Sequence, residues 1–184
     1  QNWSHIGGTW QGKRYKIANK HPIANFEYLF DGFGTVGPRS CSKNAMTVGS
    51  VADAVTAGLR DTSLAIHSNF SGAGPTDDGR IKPDIVANGE GVFTLTNSSD
   101  TATNSVTGTS VASPNAAGSA LLLQDYYDDR HPGTAMLSSM LKGLIIHTAD
   151  DIGNPGPDYR YGWGLLNTQG AAALIKEDAD SPTT

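Results

Sequence analysis

The stretch Val106–Gln124 reads VTGTSVASPNAAGSALLLQ, and it decides the fold prediction for this chain. A Gly-Thr-Ser turn leads into a run of small residues, which then give way to the leucines Leu121–Leu123. This order predicts the end of a strand, a tight turn and a buried helix with Ser110 at its N-terminus. Pro114 fits the first turn or so of such a helix, where a missing N–H costs least.

A serine at the start of a helix lies in an environment suited to acyl transfer. The first N–H groups of a helix have no intrahelical acceptor, and the helix dipole is positive at that end. Donors placed there can stabilise the oxyanion that forms when a serine attacks a carbonyl. A lone serine at a helix start is more often only an N-cap, so Ser110 by itself does not establish catalysis.

The whole string around Ser110 is far more specific than the serine. Gly-Thr-Ser-x-Ala-Ser-Pro resembles the nucleophile motif of the subtilisin-like serine proteases, the subtilase family. Asn69–Gly89 resembles the long signature of the family with its Asp-Gly-Arg and Lys-Pro-Asp, and Thr148–Leu166 resembles its closing segment with a Tyr-Gly-x-Gly turn. An esterase or lipase elbow, Gly-x-Ser-x-Gly, is disfavoured because Ala112 stands where that motif needs glycine.

The resemblance implies an α/β fold, namely part of a subtilisin-like three-layer α/β/α architecture with a mainly parallel sheet. Residues 1–175 would be the C-terminal portion of a subtilase catalytic domain, and the acidic residues 176–184 a linker or disordered tail. Residues 1–37 read as a long surface excursion with some short strands. Residue patterning predicts strands within Ser42–Val51, Ile66–Phe70, Ile81–Ala87 (ending at the turn pair Asn88-Gly89), Val92–Thr96 and Asn104–Thr107, and further helices at Thr134–Thr148 and Thr168–Ile175.

The resemblance also implies a triad in the chain order Asp, His, Ser, with both partners upstream of the serine. The family places these partners in Asp-(Ser/Thr)-Gly and His-Gly-Thr, and its oxyanion asparagine in Ala-Gly-Asn; none of these strings occurs here. His5, His21 and His67 lack that context, and His147 reads as a packed structural histidine on a helix. We therefore expect the isolated chain to be inactive, as one chain of a nicked enzyme or as part of a truncated one.

Three adjacent residues are expected to carry the chemistry of the parent enzyme. Ser110 is the nucleophile, and its backbone N–H donates to the oxyanion. Thr109 is a weaker candidate for a second donor through its hydroxyl, and Gly108 forms the turn that lets substrate backbone approach. The expected partners are a polypeptide substrate and the N-terminal portion of the same domain.

The competing hypothesis is a degenerate, non-catalytic subtilase portion used as a scaffold or binding module, against which the intact Gly-Thr-Ser turn argues.

Composition narrows the remaining functional classes. A net charge of -5 argues against nucleic acid as the main partner, and no apolar run approaches the ~20 residues that span a bilayer. The lone Cys41 excludes an internal disulfide and a cysteine-based metal site. The reaction requires no cofactor. The loop carboxylates Asp77, Asp78 and Asp100 could bind calcium, although solvated turn residues are the commoner interpretation. By resemblance alone, the protein would be secreted or periplasmic.

Overall fold

The computed structural model describes residues 7–10, 13–16 and 34–181 of the chain. Strands β1 (Gly7–Trp10) and β2 (Lys13–Lys16) form an antiparallel hairpin, in agreement with the short strands expected in residues 1–37. The rest of that expectation, together with His5 and His21, lies outside the described residues. A single turn of 3-10 helix follows at Pro38–Cys41.

The sheet that positions Ser110 is a parallel pair of strands. Strand β3 (Val48–Val51) runs beside β6 (Ile85–Asn88), with Val48 opposite Ile85 and Val51 opposite Asn88. Both strands are largely buried and apolar, as expected for parallel strands covered on both faces. The strand predicted at Ile81–Ala87 begins late because Pro83 has no N–H for a sheet ladder.

Short antiparallel hairpins occupy the connections along the chain. Strands β4 (Val55–Thr56) and β5 (Leu59–Arg60) form one, followed by a 3-10 turn at Thr62–Leu64. Strands β7 (Val92–Leu95) and β8 (Thr103–Val106) form another, which confirms the two strands predicted there.

The strand predicted at Ile66–Phe70 is wrong. Only an isolated bridge joins His67 to Val51 of β3. Its backbone pairing ends after two hydrogen bonds, from the Ser68 N–H to the Ser50 carbonyl at 3.0 Å and from the Ala52 N–H to the Ile66 carbonyl at 2.9 Å. Serine hydroxyls add to this contact, because the Ser50 N–H donates to Ser71 Oγ and the hydroxyls of Ser50 and Ser68 bond each other, both at 2.9 Å. Such side-chain groups compete with strand pairing for backbone partners.

Three α-helices follow in the described part of the chain, α1 (Thr109–Arg130), α2 (Ser138–His147) and α3 (Thr168–Asp180). Helix α2 begins four residues after its predicted start because the chain still turns there: the Thr134 N–H donates to the His131 carbonyl, and Gly133 has a φ of 80°.

Helix α3 continues to Asp180, five residues beyond the predicted helix Thr168–Ile175, so residues 176–180 are helical. Ion pairs hold this acidic last turn in place. Lys176 and Arg130 both contact Asp180, and His131 Nε2 lies 3.2 Å from Asp178. The hydrogen bond from Lys176 lowers the pKa of Asp180.

The core lies on both sides of β6, because side chains alternate along a strand. Ile85 and Ala87 pack with all three helices, whereas Val86 packs with Val51 and with loop residues on the opposite face. The helix-side cluster contains Ile85, Ala87, Ala112, Ala116, Leu123, Tyr127, Ile145, Leu166, Ala171 and Ile175. The α/β class with a parallel sheet is thereby confirmed; the described residues show one helical layer, with loops on the other face.

Helix α1 is buried on one face only. Ala112, Ala116 and Leu123 lie in the core, whereas Leu121 and Leu122 are 66% and 65% exposed. The prediction of a buried helix is therefore correct for one face and wrong for the other. Successive residues turn by about 100° around a helix, so three consecutive leucines cannot all face the same core.

Candidate active site

Ser110 is the second residue of α1 and is exposed, with Gly108 as the N-cap residue of the helix. The helix start is held without a capping side chain, because the Gly108 carbonyl accepts the N–H groups of Val111 at 2.9 Å and Ala112 at 3.3 Å. The Ser110 N–H has no intrahelical acceptor at this position, and it points with the other first N–H groups out of the positive end of the helix. An anion beside the Ser110 hydroxyl would therefore meet a backbone donor.

Glycine is required at residue 108 for two reasons. Its backbone has a φ of 155° and a ψ of 158°, a conformation that L side chains rarely adopt. A Cβ atom there would lie 3.0 Å from Ser110 Oγ. The missing side chain keeps open the space immediately beside the hydroxyl.

A short relay of backbone hydrogen bonds ties the Ser110 turn to the sheet. The Gly108 N–H donates to the Gly89 carbonyl at 2.8 Å, and the Gly89 N–H donates to the Val51 carbonyl at 3.1 Å. The turn is therefore fixed to the carboxyl ends of both parallel strands. Open α/β sheets place their reactive groups at that end.

Gly89, which the sequence marks as half of a turn pair, is also part of the site. A Cβ atom on Gly89 would lie 2.4 Å from Ser50 Oγ, 2.7 Å from the Gly108 carbonyl oxygen and 3.1 Å from Ala112 Cβ. Only glycine lets β6, the buried serine of β3 and the first turn of α1 approach so closely. The family signature that Asn69–Gly89 resembles ends in Ala-Pro-Gly, and its last residue is the sequence signal for Gly89 even though Asn88 replaces the proline here.

The structure places Thr109 directly before Ser110, as the first residue of α1, and half-buried. Its hydroxyl is a donor that could serve as the second oxyanion ligand expected from the sequence. The hydroxyl of Thr107, on the other side of Gly108, accepts the Gly91 N–H at 3.0 Å and so bonds the base of the β7–β8 hairpin.

The described histidines lie away from Ser110. His131 follows the C-terminus of α1, about 30 Å along the helix from Ser110. His147 lines a groove together with Tyr127, which itself lies about 25 Å along α1 from Ser110. A general base must reach the proton it removes, so neither residue can serve Ser110.

His67 is the third described histidine, and its environment is structural. Its N–H donates to the Tyr161 hydroxyl at 3.2 Å, and its ring meets the ring of Tyr161 edge-on with centroids 5.7 Å apart. Two backbone segments separate His67 from the Ser110 turn. His67 bridges to Val51, the Val51 carbonyl accepts the Gly89 N–H, and the Gly89 carbonyl accepts the Gly108 N–H.

The loop carboxylates that were candidates for calcium binding are either hydrogen-bonded to other side chains or exposed. Hydrogen bonds from Arg80, and from the Thr76 hydroxyl at 2.6 Å, lower the pKa of Asp78 to about 2. Asp77 and Asp100 are exposed. Among residues 34–181, no three His, Cys, Asp or Glu side chains come together as a metal-binding group would require.

The sequence model of the subtilase family matches residues 24–164, well over half of the chain. The chain belongs to the subtilase family. Its fold is accordingly that of a subtilisin-like protease, and Ser110 lies within the matched region.

Similar proteins include known serine proteases that are much longer than this subtilase chain. It is 30% identical to the serine protease AprX of Bacillus subtilis (strain 168) over 147 residues, which are 73% of this chain and 31% of AprX. It is 29% identical to the serine protease/ABC transporter B family protein tagB of Dictyostelium discoideum over 132 residues, 59% of this chain and 7% of tagB. The chain thus spans less than a third of each of these two relatives.

Solved structures agree on the fold. The Clostridium perfringens CspB protease aligns with a TM-score of 0.65 at 24% identity, covering 78% of this chain and 29% of that one. The patellamide maturation protease PatA aligns with a TM-score of 0.61 at 24% identity, covering 79% of this chain and 48% of that one. Among the described helices of the subtilase chain, none is both long and apolar enough to cross a membrane.

Proposed function

We propose that this chain supplies the nucleophile of a serine endopeptidase that hydrolyses peptide bonds. The Ser110 hydroxyl attacks the scissile carbonyl and loses its proton to a base, and the amine leaves with a proton. Water then attacks the acyl-enzyme and releases the acid. The observation that carries the proposal is the position of Ser110: an exposed hydroxyl in the first turn of a helix, beside a glycine that keeps its surroundings open.

The oxyanion of the tetrahedral intermediate would be bound by groups at the start of α1. The Ser110 N–H is the first donor, and the Thr109 hydroxyl is a weaker second one. These donors are held rigidly because the Gly108 turn is bonded to Gly89 and, through it, to β3. Donors that need no rearrangement during the reaction stabilise developing charge most effectively.

The base and its orienting carboxylate would come from outside this chain, so the isolated chain would be inactive as a protease. His131, just beyond the C-terminus of α1, and His147, which shares a groove with Tyr127 near that end, are too far from Ser110 to help, which supports this part of the proposal. A serine hydroxyl without a base is a weak nucleophile. No cofactor takes part in this chemistry.

The partner that brings these groups would be the N-terminal portion of the same catalytic domain, packed on the exposed face of α1. Two leucines of that face, Leu121 and Leu122, are about two-thirds exposed, which is unusual for adjacent leucines on a 22-residue helix. The relatives offer enough additional chain to cover them, since this chain covers less than half of PatA.

A secreted or periplasmic location remains a proposal from the resemblance, which fractionation of the source cells would test.

Replacement of the nucleophile in the full-length protein tests the proposal. We expect Ser110→Ala to abolish peptide hydrolysis while leaving the thermal unfolding midpoint within about 2 °C, since an exposed hydroxyl contributes little to stability. Ser113→Ala, an exposed serine one turn further along α1, is the matched control and should retain activity. If the Ser110 variant keeps most of its hydrolytic rate, the assignment fails.

A further inference from the structure

The hairpin formed by β7 and β8 carries an apolar strip that no described residue covers. Phe93 and Leu95 are 73% and 72% exposed, and they lie on the same face because they are two residues apart on a strand. Their cross-strand partners are the small residues Ser105 and Thr103. Exposed apolar side chains grouped in this way mark binding surfaces more often than isolated ones do.

The hairpin is attached directly to the nucleophile turn. At its base, the Gly91 N–H donates to Thr107 Oγ1 at 3.0 Å and the Gly108 N–H donates to the Gly89 carbonyl at 2.8 Å. Strand β8 ends at Val106, four residues before Ser110. Given the reach of an extended chain, Phe93 must lie within about 20 Å of Ser110, roughly the span of six residues of bound peptide.

We propose that Phe93 and Leu95 bind apolar side chains of the polypeptide substrate several residues away from the scissile bond. The inference rests on the proposed protease function and adds a specificity determinant to it. The two side chains are spaced as alternate residues of an extended peptide are, so such a peptide can lie along them in register. Each strand of the hairpin pairs only with the other within the described sheets, which leaves edges to which an extended chain can add.

The charge of the hairpin favours an apolar substrate segment over a charged one. Between Val92 and Val106 the only charged residue is Asp100, which lies in the connecting loop. Recognition there must therefore come from burial of apolar surface and from backbone hydrogen bonds. A substrate with leucine at the contacted positions should bind more tightly than one with serine.

The test uses the full-length protein and paired substrates. A short fluorogenic peptide with one to three acyl-side residues is first selected from a library. It is then extended into quenched decapeptides that carry either leucine or serine four to six residues from the scissile bond. The double variant Phe93→Ser/Leu95→Ser is compared with Thr94→Ser, whose side chain is exposed on the opposite face of the same strand.

We expect the double variant to lower kcat/KM for the leucine decapeptide by at least about tenfold, through KM. It should leave the short peptide and the serine decapeptide unchanged, and Thr94→Ser should change none of them. An equal loss on short and long substrates, or no loss on any, would overturn the inference. So would a drop in thermal stability without a change in KM, because the strip would then be covered by another part of the protein.

The failure of this inference is distinguishable from failure of the proposed function. If the wild-type protein cleaves no short peptide, the protease proposal itself fails. If it cleaves the short peptide and does not distinguish leucine from serine decapeptides, only the role of the hairpin fails. The single variant Phe93→Thr keeps a good strand former, so it repeats the test should the double variant not fold.

Discussion

At residue 108 the backbone conformation and the space available both exclude a side chain. The φ of 155° disfavours any L residue, and the position of a Cβ atom would be only 3.0 Å from Ser110 Oγ. The N–H and the carbonyl of Gly108 also hold the turn, through Gly89 on one side and Val111 on the other. This residue therefore sets both the direction of the nucleophile and the room around it.

Substitution of this glycine should reduce activity more than stability. We predict that Gly108→Ala in the full-length protein costs about 1–3 kcal/mol of unfolding free energy from backbone strain and lowers kcat by at least about a hundredfold, because the methyl group displaces the hydroxyl. Steady-state kinetics and urea unfolding measure the two effects.

The control is Gly118→Ala on the same helix, where a Cβ atom would meet nothing within 4 Å. This variant should keep its activity and gain about 0.5–1 kcal/mol, since alanine is the better helix former. A Gly108→Ala enzyme with normal kcat would show that the turn does not constrain Ser110.

The nucleophile turn could be predicted from sequence because its string of small residues is contiguous and specific. Gly108, Thr109 and Ser110 all lie where the string placed them, in a turn and the first turn of a helix. The need for glycine at residue 89 arises from contact with Ser50 and Ala112, which are distant in the chain. Such contacts leave no local pattern in residue propensity, so only the family signature points to Gly89.

At the scale of secondary-structure elements, a buried cluster of charges joins the amino ends of β3 and β6 to α2. Lys82 and Asp84 are only 2% and 6% exposed, and Lys82 Nζ lies 2.6 Å from the Asp84 carboxylate. The same carboxylate accepts the Thr47 N–H at 2.6 Å and lies 3.0 Å from Lys142 Nζ. This end of the sheet is opposite the Ser110 turn, so the cluster is expected to stabilise the fold without touching the chemistry.

Removal of the shared carboxylate should be far more costly than removal of one lysine. We predict that Asp84→Asn destabilises the domain by about 3–5 kcal/mol, because it leaves Lys82 as a buried unpaired cation. Lys142→Met should cost about 1 kcal/mol or less, since Lys142 is partly exposed and Lys82 still pairs with Asp84. Urea unfolding midpoints, compared at constant m-value, measure both changes in unfolding free energy. Equal losses of stability in the two variants would contradict this account.

Element boundaries were less predictable than element types. Periodicity predicts the helices and most strands. However, β6 begins only after Pro83, later than its predicted start, and α3 extends to Asp180, beyond its predicted end. In this extension Asp180 is paired with Arg130 and Asp178 contacts the His131 ring, both at the far end of α1. Tertiary partners of this kind set where an element ends, and residue propensity does not contain them.

At the scale of the whole molecule, the exposed leucines of α1 define the face on which the proposed upstream portion would pack. Leu121 and Leu122 directly precede the buried Leu123 and lie outside the core of the described chain. Burial of a leucine side chain contributes about 1.5–3 kcal/mol. The sequence predicted the helix and not its uncovered side, because the pattern of apolar residues does not reveal which surfaces have a partner.

We predict that Leu121→Ser/Leu122→Ser destabilises the full-length protein by about 3 kcal/mol or more and has little effect on the isolated 184-residue chain. Leu59→Ser is the control, a leucine outside α1 that is 74% exposed, and should be nearly neutral in both. Thermal unfolding of both forms is the measurement. A double variant that is neutral in the full-length protein would show that nothing packs on this face.

The central claim is that Ser110 is a nucleophile whose base is supplied from outside this chain. The most direct measurement is labelling with a serine-directed phosphonate, located by mass spectrometry, on the full-length protein and on the isolated chain with its helicity checked by circular dichroism. The account predicts label on Ser110 in the full-length protein and none on the folded isolated chain. Label on another serine, or strong labelling of Ser110 in the isolated chain, would contradict it.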